Sequence, residues 1–193
     1  MRRFAILFGL ALVGTSASAE VVTSSDAGFV SRLAVDVSVP PEEAWKTLIA
    51  PATWWSSEHT YSGDAANLYL DAQATGCFCE LLPLPKDAAE GTRRGSVEHL
   101  HVVYADPGKV LRLTGGLGPL QSEAVGGSLT ITLKPVDGGT RIQWFYVVGG
   151  YARFKFPDMA VVVDKVLAQQ VARLGEKLGT SAQVSPLPAD AKP

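Results

Sequence analysis

Residues Phe156–Gly179 read FPDMAVVVDKVLAQQVARLGEKLG. From Val163 the apolar residues Val166, Leu167, Val171, Leu174 and Leu178 recur at helical spacing. Pro157 and Asp158 suit the first turn of a helix, and Gly179 supplies a stop. The spacing predicts a helix of roughly five turns or more, at about 3.6 residues per turn, with one apolar face. That face needs a partner, and the sequence before it offers mainly strands.

Moving outward from the helix, Arg141–Val148 alternates as a strand and is joined to Ser128–Lys134 by the hairpin turn Asp137-Gly138-Gly139. Val110–Thr114 precedes them, separated from Ser96–Tyr104 by Asp106-Pro107-Gly108. Cys77–Leu82, Leu68–Leu70 and Phe29–Val39 read as further strands. Pro40-Pro41 ends the first of these and opens a short helix, with Glu42 and Glu43 at its positive end and Ala44, Trp45, Leu48 and Ile49 on one face. Pro51 starts a second short helix or turn bearing Trp54 and Trp55. The expected fold class is therefore α+β. A curved antiparallel sheet of about six or seven strands wraps a long C-terminal helix, with two short helices after strand one. A sheet curved round a helix leaves a space between them, lined by apolar and aromatic side chains.

The chain ends read differently. Met1-Arg2-Arg3, the apolar run Phe4–Val13 and Ala17-x-Ala19 form the pattern of a signal peptide spanning residues 1–19. The apolar run is well short of the roughly 20 residues needed to span a bilayer. Cleavage there predicts a periplasmic or secreted protein with no stable membrane insertion. Loss of Arg2 and Arg3, with no acid removed, shifts the formal charge from −2 to −4. That balance argues against a nucleic-acid partner or an anionic membrane surface. The domain is expected over 20–179. Residues 180–193 are small, polar and proline-rich, and are expected to be disordered.

The element order, the lead-in Val39-Pro-Pro-Glu-Glu-Ala-Trp45, the Trp54-Trp55 turn, the Asp137-Gly-Gly-Thr140 hairpin and the terminal helix resemble the SRPBCC superfamily. This is the helix-grip fold of START domains, the birch-pollen allergen family, polyketide cyclases and Hsp90-ATPase-activator homologues. The resemblance spans Phe29 to Leu178 and is strongest to the cyclase and activator-homologue branch. It implies a deep apolar cavity for a lipid, sterol or aromatic molecule, and specifies no reaction.

Chemistry-bearing residues concentrate between Trp54 and Glu80. Alternate residues of a strand lie about 6.6–6.8 Å apart, at the edge of disulfide reach, so a Cys77–Cys79 bond requires the strand to bulge. His99-x-His101 repeats the spacing on the next strand. If Cys79 opposed His99 and Cys77 opposed His101, all four would share a face and offer a zinc-like ion four ligands. The plainer alternative is two half-buried thiols and two surface histidines, with no metal. On the other face of that register, Phe78, Glu80, Leu82, Glu98, Leu100 and Val102 point inward. Glu80 then opposes Glu98, and two such carboxylates share a proton or bind a ligand's hydroxyl or amine.

His59 lies in the loop Glu58–Asp64, where Tyr61, Ser62 and Asp64 can orient it while Trp54 or Trp55 walls the cavity mouth. It could equally tie the loop to the sheet. Ile142, Trp144 and Tyr146 are expected to face the helix. Gly115-Gly-Leu-Gly118 lacks the lysine and following helix of a phosphate loop and reads as a strand break. No serine sits in a nucleophile elbow.

Two functions follow. In the first, the protein binds a small hydrophobic or aromatic molecule without a cofactor, through Trp54, Trp55, His59, Tyr61, Phe78, Glu80, Glu98, Leu100, Trp144 and Tyr146. In the second, it is a cyclase- or dehydratase-like enzyme with His59 and the Glu80/Glu98 pair as acid and base. Surface display of Trp54 and Trp55 would instead favour a protein-interaction module.

Overall fold

The structure is a computed structural model describing residues 21–179 and 184–187. The signal peptide expected over 1–19, and most of the tail expected to be disordered, lie outside these residues.

Among the described residues one sheet is built on a path of eight antiparallel strands: β1 (Val21–Ser25), β2 (Gly28–Val37), β3 (Leu68–Leu70), β4 (Cys77–Leu81), β5 (Ser96–Asp106), β6 (Val110–Thr114), β7 (Ala124–Val136) and β8 (Gly139–Tyr151). Their spatial order is β1-β2-β8-β7-β6-β5-β4-β3. Neighbours in sequence are therefore neighbours in the sheet, except that β2 closes beside β8. Within the tail, β9 (Ser185–Pro186) lies along β2, opposite Leu33 and Ala34. The edge of β2 beyond β1 has backbone groups to offer such a segment.

Two α-helices complete the α+β fold: α1 (Pro41–Leu48) and α2 (Phe156–Lys177). The second short helix expected at Pro51 is a single 3₁₀ turn, Pro51–Thr53, followed by others at Ser57–His59 and Ala65–Asn67. In α2 the buried residues Phe156, Ala160, Val163, Leu167, Val171 and Leu174 step by three or four, which keeps one stripe against the sheet. Asp158 and Lys177 suit the two ends of its dipole, and Gly179 follows with φ +81°, a left-handed conformation that glycine adopts without strain. No helix among the described residues is long and apolar enough to cross a membrane.

Helix α2 packs chiefly on β2 and β1, at one end of the sheet. The concave face further along, over β4 to β7, is covered instead by the loop that carries Trp54 and Trp55. Three side chains of α2 fasten that loop. Gln170, fully buried, accepts from the Ser56 backbone N–H at 2.9 Å; Arg173 donates to the Trp54 carbonyl at 2.8 Å; Gln169 meets His59 at 2.7 Å. Both tryptophans are buried, which removes the surface aromatic patch that a protein-interaction module would need. Ile142, Trp144 and Tyr146 face the core as their alternation predicts.

Candidate functional site

The expected deep cavity is almost closed. Trp54, Trp55, Phe78, Leu100 and Trp144, with surrounding leucines, leave a void of about 30 Å³, enough for about one water-sized sphere. Trp54 meets Trp55 at 5.4 Å and Trp144 at 6.3 Å, and Trp55 meets Phe78 at 5.0 Å, so rings occupy the space. Phe78, Leu100 and Trp144, expected to contact a ligand, are core.

The open space lies at the mouth. A cleft of about 310 Å³ runs between the first half of α2 and the turn Leu117–Pro119. Val162, Val163, Val166 and Leu167 form one wall, Leu117, Gly118 and Pro119 the other, and Trp55 lies deeper; His59, Thr60, Tyr61 and His99 supply the polar groups. The glycine run read as a strand break is thus a wall of the site. Tyr146, expected as a polar contact, holds that wall in place. Its buried hydroxyl donates to the Gly115 carbonyl at 3.0 Å and accepts from the Leu117 N–H at 3.1 Å. Burial drives its pKa up to about 12, so it remains a neutral phenol. Gly127 permits this approach, since a Cβ there would sit 2.8 Å from the Tyr146 hydroxyl.

One irregularity in pairing decides the polar chemistry. Cys77 opposes His101 and Phe78 opposes Leu100, but Cys79 then opposes Glu98, leaving His99 as an extra residue on β5. Such a β-bulge re-aims the side chains beyond it. Glu80 consequently opposes Val97, not Glu98, and the expected carboxylate pair does not form. Glu98 points outward, 56 % exposed, with His101 at 3.7 Å. His99 turns inward and is 5 % exposed. The four-ligand metal arrangement also fails, because Cys77 and Cys79 are joined in a disulfide that leaves no thiolate and the two histidines diverge. Their Cα atoms stand 5.4 Å apart, well inside disulfide range and shorter than the roughly 6.6–6.8 Å of a regular strand.

Under the cleft the bulge brings Glu80 to His99, with Nε2 and the carboxylate 2.9 Å apart. Glu80 is fully buried and also accepts backbone N–H groups from Tyr61 at 3.0 Å and Ser62 at 2.5 Å. Burial is the largest single influence and pushes its pKa up. The donors of Ser62, Tyr61 and His99 together outweigh it and leave the carboxyl below its ordinary value. His99 is also held below its ordinary value, since burial disfavours the imidazolium more than Glu80 favours it. The pair is thus a carboxylate and a neutral imidazole. The His99 ring stacks at a tilt on Phe78, 4.9 Å between centres, with Tyr61 at 5.8 Å on the cleft side.

No family model matches the chain, and neither does any curated protein. Solved structures do. The fold is helix-grip. A protein of unknown function from Staphylococcus aureus, SA2116, superposes with TM-score 0.53 at 12 % identity, covering 80 % of this chain and 96 % of its own. Protein MLL2253 from Mesorhizobium loti gives 0.51 at 17 % identity, over 78 % and 96 %. An uncharacterized protein from Rhizobium leguminosarum gives 0.50 at 16 %, over 79 % and 97 %. At these identities the similarity concerns the helix-grip fold alone.

Trp55, His59, Tyr61 and, one layer down, Glu80 therefore converge on the cleft, whereas Glu98, Phe78, Leu100, Trp144 and Tyr146 do not line it. His99, expected on the outer face as a metal ligand or surface histidine, instead turns inward, and the walls Val162–Leu167 and Leu117–Pro119 were not singled out in the sequence as part of a site. A signal for the helix wall existed: Val161-Val162-Val163 is wider than one helical stripe requires, and Val162 remains 54 % exposed.

Proposed function

We propose that this is an SRPBCC-like protein that holds a small apolar or aromatic molecule in the cleft between α2 and Leu117–Pro119. The cleft itself carries this reading. It is open, within the usual size range of small-molecule sites, and walled by valine, leucine and proline around a few polar groups. The inner void is too small for such a ligand, which favours the cleft at the mouth. Calorimetric titration with 2-naphthol is expected to show saturable binding. Val166→Trp, which fills the cleft from α2, should weaken it at least tenfold while circular dichroism stays unchanged. Undiminished binding in this variant would move the ligand elsewhere.

We further propose that the chain is exported and acts outside the cytosol. Support comes from the Ala17-x-Ala19 pattern and from the Cys77–Cys79 disulfide, which persists most readily in an oxidising compartment. The intact mass of protein recovered from its native host should correspond to a chain beginning at Glu20. A mass retaining residues 1–19 would refute cleavage.

The Glu80–His99 pair favours acid–base chemistry as a second reading. A carboxylate that fixes one imidazole nitrogen leaves the other as a base. The enzyme reading then rests on His99 and Glu80, with Glu98 excluded by its outward position.

A further inference from the structure

Four polar side chains line the cleft, and the structure assigns each of their hydrogens to a protein acceptor. The Glu80 carboxylate can only accept, so the hydrogen of the neutral His99 ring sits on Nε2 and is donated to it. The Gln169 side-chain oxygen, 2.7 Å from His59 Nε2, likewise requires an N–H there. Thr60 donates its hydroxyl to the Ser57 carbonyl at 2.8 Å. Tyr61 donates to the Gly118 carbonyl at 3.2 Å or to Gln121 Oε1 at 3.3 Å. What these side chains keep for a ligand is lone pairs: Nδ1 of His99 and the oxygens of Thr60 and Tyr61. Among the described residues no lysine or arginine lines the cleft, and the Glu80 carboxylate lies behind His99.

We propose that the cleft recognises its ligand as a hydrogen-bond donor, a neutral alcohol or phenol on an apolar body, and discriminates against carboxylates, esters and ethers. An acceptor-only ligand would face lone pairs from His99, Thr60 and Tyr61, and a carboxylate would also meet the field of Glu80 with no described lysine or arginine in the lining to offset it. A hydroxyl placed against His99 instead gives a bond to a fixed acceptor, since Glu80 locks the ring's tautomer and Phe78 its plane. Sites built for a substrate's hydrogen-bonding group reject analogues that lack it far more strongly than apolar pockets sort by size.

The inference rests on the cleft being a ligand site, and a matched series separates the two ideas. Calorimetry would compare 2-naphthol, 2-methoxynaphthalene and 2-naphthoate, which share one ring system. The expected result is that naphthol binds at least tenfold more tightly than the methyl ether, with naphthoate weaker still. Tyr61→Phe, at an exposed position, should narrow the gap between naphthol and ether. Equal binding of naphthol and ether, or preference for naphthoate, would overturn donor recognition while leaving the cleft assignment intact. Failure of all three to bind would overturn both.

Discussion

Glu80→Ala should lower the free energy of unfolding by about 3–5 kcal/mol, because three donors that converge on the buried carboxylate lose their acceptor at about 1–3 kcal/mol each. The substitution leaves three donors without an acceptor: His99 Nε2–H and the backbone N–H groups of Tyr61 and Ser62. Each orphaned buried donor costs about 1–3 kcal/mol, so the total is set by how far the loop relaxes to reach water. Glu80→Gln keeps one acceptor oxygen but turns an amide NH₂ towards donors, and should cost less than the alanine variant. Urea unfolding at neutral pH measures both; a loss under 1 kcal/mol for Glu80→Ala would show that the carboxylate does not organise the loop.

The same pair makes stability depend on pH, with a definite sign. Both pKa values are lower in the folded chain, His99 below its ordinary 6.5 and Glu80 below its ordinary 4.5. The unfolded chain therefore takes up protons first as pH falls. Stability attributable to the pair is complete above 6.5 and declines on acidification, first through His99 and then through Glu80. Asp164 acts oppositely: burial raises its pKa despite the Ser31 hydroxyl, so its contribution is present below its ordinary 3.8 and is lost as pH rises through the folded value. The unfolding midpoint should drop between pH 7 and pH 4.5, and drop less in His99→Gln, which removes the group that takes up the first proton. A flat profile for the parent chain would contradict the protonation states assigned to the cleft.

Trp54→Ala should cost a further distinct amount, about 3–5 kcal/mol, as is usual when a large aromatic is cut from a core. The ring is 4 % exposed, meets Trp55 and Trp144, and borders the existing void, so its removal enlarges a cavity that α2 and the sheet cannot both collapse into. Its indole N–H also donates to the Thr47 carbonyl at 2.9 Å, which leaves that acceptor to water. Trp54→Phe retains most of the ring and loses the donor, and is expected to cost about 1–2 kcal/mol. The midpoint shift in urea at unchanged slope is the measure. If alanine proves as mild as phenylalanine, the space behind Trp54 is already accessible and the filled-core description is wrong.

The architecture was legible because its signals are local. Period-2 alternation, the Asp137-Gly138-Gly139 turn and the spacing of Val163, Leu167, Val171 and Leu174 each depend on residues close in sequence. Together they determined strands, hairpins and the long helix, and hence the α+β class. The first hairpin strand, Val21–Ser25, lacked a comparable pattern: its residues VVTSS alternate little, and the pairing with β2 supplies the order.

The site was less legible, because it turns on a one-residue shift that no local pattern announces. Composition placed Cys77, Cys79, Glu80, Glu98, His99 and His101 on adjacent strands, and a regular register from there sends the two glutamates inward and the histidines outward. One extra residue on β5 beyond Leu100 inverts this, since side chains alternate with period two and a single step exchanges the faces. His99 comes in, Glu98 goes out, and Cys77 reaches Cys79 across a shortened β4. Likewise, the sequence announced a helix over a curved sheet, but only tertiary packing decided that tryptophans fill the space between them and that the opening lies at the edge, where α2 parts from Leu117–Pro119. Residue identity determined which groups were available. Register and volume, summed over segments far apart in the chain, decided which of them meet.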